Sequence, residues 1–240
     1  MLDSLKNGLI VSCYASKTDA NAEMADPEVI ATIAHAVELG GAVAVRTNLE
    51  NIKSIKEKTA LPVIGIKKVA AESDGFESGD FRITPTLKEV EELIQAGADA
   101  VAIDATHRKR YDNLTLSEFI HRIKEMFNCP VIADISTFQE GLDATDAGAD
   151  AVGTTLAGYT PYSSNPVVFG TIPSPPPDFE IVRELAALQT YVIAEGRYTT
   201  PDQAIEALEC GAHAVVVGTA ITMPRKITEK FVYAMKISKE

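Results

Sequence analysis

Two short apolar phrases alternate along the chain. One opens with glycine and a small residue and runs on as a buried stretch: "GGAVAVR" (40–46), "GADAVAID" (97–104), "GADAVGTT" (148–155) and "GAHAVVVG" (211–218). The other is a run rich in Val and Ile: "GLIVSC" (8–13), "LPVIGIKK" (61–68), "CPVIADIS" (129–136) and "YVIAEGR" (191–197). All are short and apolar at successive positions, as strands buried on both faces are. Amphipathic stretches lie between them, such as "PEVIATIAHAVEL" (27–39), "TLKEVEELIQA" (86–96), "TFQEGLDATDA" (137–147) and "TPDQAIEALEC" (200–210). Thr86, Thr137 and Thr200 stand where a helix N-cap is wanted, and Gly97, Gly148 and Gly211 follow the helix ends. The terminal "ITEKFVYAMKISKE" reads as a last amphipathic helix. Strands alternating with helices at this spacing predict an α/β fold, a single-domain (β/α)8 TIM barrel over residues 1–240. A doubly wound open sheet is the alternative. It is weakened because the first strand leads into "YASKTDAN" and not into a glycine fingerprint.

Length agrees with that architecture, since 240 residues is ordinary for one α/β barrel. No apolar run approaches the ~20 residues that cross a bilayer, and "MLDSLKNGLIVSC" lacks the basic, long-cored pattern of an export signal. A cytoplasmic protein with no membrane partner is expected. The formal charge of −12 repels phosphate backbones, so nucleic acid is not an expected partner. The one dense basic cluster, "HRKR" (107–110), reads as a solvated loop. Cys13, Cys129 and Cys210 form no CxxC pair and are expected to be reduced, mostly buried thiols. His35, His107, His121 and His213 show no ligand spacing, so no metal is expected, although Asp104 and Asp134 together could hold a hard cation.

Barrel enzymes build their sites at the carboxyl ends of the strands. The polar groups there are Arg46, Lys67 or Lys68, Asp104, Asp134, Thr154 or Thr155, Glu195 and Arg197, which suggests a ring around a polar ligand. The loops after the seventh and eighth strands, "AEGRYT" and "VGTAITMP", carry Gly196 and Gly218, and N–H groups around Gly218, Thr219 and Ala220 would face a phosphate. Two ordinary glycine turns would look the same. The sixth strand ends in "GTTLAGYTPY" without a Schiff-base lysine. A lysine on the third strand and a glutamate on the seventh stand across the mouth from each other, a pairing suited to proton transfer next to a carbonyl. Adjacent strand residues face opposite ways, so only one of Lys67 and Lys68 serves the mouth. An amine with a pKa near 10.4 is a poor base at neutral pH, and a catalytic value of 7 to 8 needs about 3 to 5 kcal/mol of environmental bias. Burial and Arg46 would supply it, while Glu195, Asp104, Asp134 and a substrate phosphate would oppose it.

Taken together, "GLIVSC", "GGAVAVR", "LPVIGIKK", "ITPTLKEV", "AIDAT", "ADIST", "GTTLAGYTPYS", "IAEGR" and "VVVGTAIT" resemble the bacterial N-acetylmannosamine-6-phosphate 2-epimerase family over residues 8–222. The resemblance implies a phosphate-binding (β/α)8 barrel, a homodimer, and no redox cofactor. It also implies interconversion of N-acetylmannosamine 6-phosphate and N-acetylglucosamine 6-phosphate, a phosphorylated amino sugar being the partner. The last residue of the family's "GIIK" phrase falls on Lys68, the implied base, with Glu195 as second catalytic group. Arg46, Asp134, Thr155 and Tyr159 become implied substrate contacts, and Gly196, Arg197, Gly218 and Thr219 an implied phosphate site. If Lys68 points to the barrel axis, Ile66 and Ile64 do too, and Lys67 faces the helices. The chain departs from the family in reading "SCYA" for "SCQA", which installs Tyr14, and "ITMP" for "ITRP", which installs Met223 with Arg225 two residues on. Segments 69–82 and 167–177 are longer than in the family, the second being proline-rich and expected to be mobile. These changes leave open another phosphosugar as substrate, or a phosphosugar-binding barrel without turnover.

Overall fold

The computed structural model describes residues 1–14, 22–70, 81–164, 166 and 175–237. In chain order the elements are β1 (Gly8–Ser12), α1 (Pro27–Leu39), β2 (Ala44–Asn48), α2 (Leu49–Lys58), β3 (Val63–Ile66), β4 (Lys68–Ala70), β5 (Phe81–Ile83), α3 (Leu87–Gln95), β6 (Ala100–Asp104) and α4 (Leu116–Phe127). There follow β7 (Val131–Asp134), α5 (Phe138–Asp146), β8 (Ala151–Gly153), α6 (Phe179–Ala186), β9 (Tyr191–Glu195), α7 (Pro201–Glu209), β10 (Ala214–Val217), α8 (Thr219–Thr222) and α9 (Pro224–Ile237). Eight strands close into a parallel barrel in the order β1-β10-β9-β8-β7-β6-β3-β2. The eight apolar phrases are those strands, and the open-sheet alternative falls.

Local chemistry explains the boundaries. Thr86, Thr137 and Thr200 each close a capping box with Glu89, Glu140 and Gln203, so two orphan N–H groups are satisfied at each helix start. Gly97, Gly148 and Gly211 take φ of +102°, +89° and +100° directly after the helices, a region costly for side chains with a Cβ. The one addition to the simple repeat is the antiparallel hairpin β4–β5, pairing Lys68 with Ile83 and Ala70 with Phe81. It stands outside the barrel sheet, directly above the end of β3. The segment joining its strands, and most of 167–177, lie outside the described residues, as do residues 15–21 of the "YASKTDAN" phrase.

Strand alternation sorts side chains into two sets. Ile10, Ala44, Ile64, Ile66, Ala100, Ala102, Ile132, Ala151, Ile193, Ala214 and Val216 fill the barrel interior, with Leu5 closing its amino-terminal end. Val11, Val45, Val63, Val101, Ile103 and Val131 face the helices instead, packing with residues such as Ile30, Ile52, Leu93 and Phe119. Each large side chain so buried stabilises the fold by about 1.5–3 kcal/mol. The interior set has a consequence for function: the next inward positions toward the carboxyl ends are Arg46, Asp134, Gly153 and Glu195. No described helix is long and apolar enough to cross a membrane. The cysteines are free, Cys13 and Cys210 being buried.

Candidate functional site

At the carboxyl-terminal mouth, Arg46 is 2% exposed and Asp134 is fully buried. The guanidinium of Arg46 donates from Nη1 to Asp134 Oδ1 at 3.0 Å and from Nη2 to Oδ2 at 2.5 Å, a bidentate fork across the barrel. Arg46 Nη1 also lies 3.2 Å from Glu195 Oε2. Thr155 Oγ1 sits 2.7 Å from Asp134 Oδ1 and 3.0 Å from Glu195 Oε2. A hydroxyl has one proton to give, so Thr155 donates to one of the two carboxylates at a time. Burial pushes the Glu195 carboxyl up and Asp134 adds to that, while Arg46, the Thr155 hydroxyl and Lys68 pull it down. Burial pulls the Arg46 guanidinium down, but Asp134 and Glu195 together leave it net raised and charged. Gly153 makes the cluster possible, since a Cβ there would lie 2.9 Å from Asp134 Oδ1 and 3.3 Å from Thr155 Oγ1.

The two lysines separate as parity requires. Lys67 turns outward and its ammonium pairs with Glu92 on α3. Its backbone is fixed by Thr84, whose N–H donates to the Lys67 carbonyl at 2.7 Å. Lys68 begins the hairpin strand β4 and lies on the interior side with Ile64 and Ile66. Its Nζ is 4.3 Å from the Tyr14 ring centroid and 4.9 Å from that of Phe81. The amine is lowered from 10.5 to about 8: burial is the largest cause and the charge of Arg46 adds to it, against the opposing pull of Glu195 and Asp134. The contest left open by the residue types is decided by desolvation.

On the opposite side of the mouth, β9 and β10 end in Gly196 (φ +114°) and Gly218. Gly218 caps the one-turn helix α8, whose first residue is Thr219. A Cβ on Gly218 would meet Ser12 Cβ at 3.2 Å, so β1 and the phosphate-loop candidate approach closely here. Arg197 also has positive φ, +66°, and its guanidinium donates to the carbonyls of Ala157 at 2.7 Å and Pro176 at 2.9 Å. It hydrogen-bonds Tyr159 as well; burial raises that phenol and Arg197 opposes the rise. Arg197 thus ties three segments of the rim together.

A family described as "Putative N-acetylmannosamine-6-phosphate epimerase" matches residues 30–237. The chain belongs to that family. A Caldanaerobacter subterraneus subsp. tengcongensis protein named "Putative N-acetylmannosamine-6-phosphate 2-epimerase" is 46% identical over 239 residues, covering 98% of this chain and 94% of its own. A Clostridioides difficile protein of the same name is 44% identical over 240 residues, covering 99% and 100%. The solved N-acetylmannosamine-6-phosphate 2-epimerase from Clostridium perfringens superposes with a TM-score of 0.85 at 38% identity, covering 98% of this chain and 96% of its own. A thiamine phosphate pyrophosphorylase from Pyrococcus furiosus, at 16% identity and a TM-score of 0.56, shares the fold alone.

Within this epimerase-family barrel several sequence expectations change. Asp104 does not join the ring: its carboxylate binds Arg108 Nη2 at 2.5 Å and Thr106 Oγ1 at 2.6 Å. The "HRKR" cluster is no solvated loop throughout. Arg108 also reaches the Phe81 carbonyl at 3.1 Å, and Arg110 stacks 4.0 Å from the Phe119 ring and donates to the Pro85 carbonyl at 2.9 Å. A guanidinium with five fixed donors can organise loop carbonyls in this way, which a basic run does not reveal in advance. Arg225, two residues beyond Met223, is exposed on α9 and pairs with Glu229 at 2.8 Å. Both Thr154 and Thr155 reach the cluster, and Asn48 beside it was missed. Thr154 Oγ1 clamps Glu195 by accepting from its N–H and donating to its carbonyl, both at 2.9 Å. Asn48 ends β2, and its buried Oδ1 has no partner among the described residues; its place two residues beyond Arg46 was the available signal.

Proposed function

We propose that the chain interconverts N-acetylmannosamine 6-phosphate and N-acetylglucosamine 6-phosphate by proton transfer at C2. The observation that carries this is Lys68, an amine lowered to about 8 at the barrel mouth beside the buried Arg46–Asp134–Glu195 cluster. An amine of that pKa is partly neutral at physiological pH and can accept the C2 proton of an open-chain amino sugar. The enolate oxygen so formed is an acceptor for the fixed, always-charged guanidinium of Arg46. Asp134 holds that guanidinium by both N–H groups, so little reorganisation is needed as charge develops. Glu195, raised toward its neutral form, is the group that can return a proton or assist ring opening. Thr155 and Tyr159 line the same mouth and are assigned to the sugar. Gly196, Gly218 and Thr219 are assigned to the phosphate, where backbone N–H groups can converge; Arg197 supports that rim and adds positive charge.

Incubating the protein with N-acetylmannosamine 6-phosphate in D2O and following C2 by NMR tests the reading. Appearance of C2-deuterated N-acetylglucosamine 6-phosphate is expected. Thermal stabilisation by the sugar without loss of the C2 proton signal would replace the enzyme by a binding protein.

The functional unit is inferred to be a homodimer acting in the cytoplasm. Helix α9 supports the first point, exposing Phe231 (67%), Val232 (45%) and Met235 (64%), an apolar face that water disfavours. Three free thiols and a phosphorylated substrate support the second. Light scattering of wild type against Phe231→Asp is expected to show twice the monomer mass falling to one; a monomeric wild type would refute the dimer.

A further inference from the structure

At the mouth Lys68 meets an aromatic residue, Tyr14. It follows β1 directly, and the Lys68 ammonium stands 4.3 Å from its ring centroid. Phe81, carried by the other strand of the hairpin, supplies a second ring at 4.9 Å. The rings come from opposite ends of the fold's amino-terminal third, and each is anchored. Cys13, the preceding residue, donates its N–H to the Arg46 carbonyl at 2.9 Å, and the Phe81 carbonyl accepts from Arg108 at 3.1 Å.

We propose that Tyr14, with Phe81 as its partner, is a positioning residue for Lys68: an aromatic clamp that binds the ammonium face-on and holds the amine at the substrate side of the mouth. This rests on Lys68 being the base. The faces of the rings carry the negative end of the aromatic quadrupole, so they attract the charged amine without offering it a proton acceptor. A carboxylate in the same place would hold the lysine but would also keep it protonated. Other charges face Lys68 from β2 (Arg46), β7 (Asp134) and β9 (Glu195), and act on it through space. Arg82 on β5 is turned away, its guanidinium 5.6 Å from the Tyr111 ring.

Two effects of the clamp can be separated. Ring attraction favours the ammonium, so replacing Tyr14 by an aliphatic residue of similar bulk keeps the burial and removes the attraction. The Lys68 titration midpoint in Tyr14→Leu should then fall by about half to one and a half pH units. The charge that develops on the amine as it takes the proton loses the same attraction, so kcat should fall by up to about tenfold even at a pH where the free amine is neutral in every variant. Tyr14→Phe keeps the ring and should leave the midpoint in place. Phe81→Leu should move it in the same direction as Tyr14→Leu and by less, because that ring is farther away.

The measurement is a 13C NMR titration of the lysine ε-carbons in the full chain, with Lys68 assigned from Lys68→Arg, alongside kcat at pH 9.5. A Tyr14→Leu midpoint equal to wild type overturns the clamp. A Tyr14→Phe midpoint displaced as far as that of Tyr14→Leu also overturns it, since the hydroxyl would then be the active part. Should Tyr14→Leu not fold, Phe81→Leu tests the same sign. The titration needs no substrate, so a chain that fails to epimerise while its midpoints shift would sink the proposed function and leave the clamp standing.

Discussion

Desolvation of Lys68 makes a quantitative claim on its chemistry. With a value of about 8 in place of 10.5, roughly 9% of the amine is neutral at pH 7 instead of roughly 0.03%, a gain of about 300-fold in available base. The perturbation is pH itself, and the assay is competitive labelling with limiting acetic anhydride, reading the Lys68 peptide by mass spectrometry. Nα-acetyl-lysine amide in the same tube serves as the ordinary amine of pKa near 10.4. Partial burial scales the absolute rate, so the shape of the curve carries the information. Lys68 labelling should rise about tenfold from pH 6 to 7, reach half its maximum near 8 and be level by 9.5, while the standard is still rising steeply. The same shift bears on stability. Between about 8 and 10.5 the unfolded chain holds this proton and the folded chain does not, so this group makes folding more favourable as pH rises through that window and penalises it below about 8. Lys68 labelling that rises in parallel with the free amine up to pH 10 would refute the argument that burial sets the base.

The remaining expectations follow from the same contacts. Lys68→Ala should abolish C2 exchange, whereas Lys67→Ala should keep most of it and lose at most ~1 kcal/mol in urea unfolding, because the Lys67–Glu92 pair is partly solvated; the reverse pattern would place the wrong lysine at the mouth. Asp134→Ala leaves the buried Arg46 guanidinium half-paired and should cost about 3–5 kcal/mol, read as a lower urea midpoint with unchanged slope. Gly153→Ala puts a methyl 2.9 Å from Asp134 Oδ1 and should cut kcat by at least about tenfold with a smaller change in KM, since it displaces the Arg46 fork; an unchanged kcat would show the cluster to be tolerant of that shift.

The barrel was legible because its signals are local and repeated. Each capping box needs residues three apart, each helix end needs one glycine, and each strand is an unbroken apolar run, so no long-range contact had to be guessed. Parity carried part of the site as well: Ile64 and Ile66 point inward, which leaves Lys67 outward on Glu92 and Lys68 inside. Legibility failed where a side chain returns from another loop. Asp104 looks like a mouth residue until Arg108, four positions on, folds back and takes its carboxylate. Phe81 reaches Lys68 only because 68–70 and 81–83 pair as a hairpin, and a segment rich in Glu, Ser, Asp and Gly gives no strand signal between them. Asn48 was readable by counting two from Arg46, but a polar residue at a helix N-cap has an ordinary explanation.

The pair at the mouth is displaced in opposite directions toward neutrality: burial lowers the amine of Lys68 and raises the carboxyl of Glu195. Where both are neutral, the remaining charges are Arg46 and Asp134, which pair across a bidentate contact. A neutral base and a neutral acid on opposite walls are the protonation states needed to take a proton from one face of a carbon and deliver one to the other. The phosphate assignment fits this balance. β9 stands opposite β3 in the closed strand order, so a phosphate placed at Gly196, as proposed, would lie on the far wall from the end of β3. Its field, which favours the ammonium, is weakest where a neutral amine is required. A phosphate bound beside β3 would oppose the lowering that burial gives the amine.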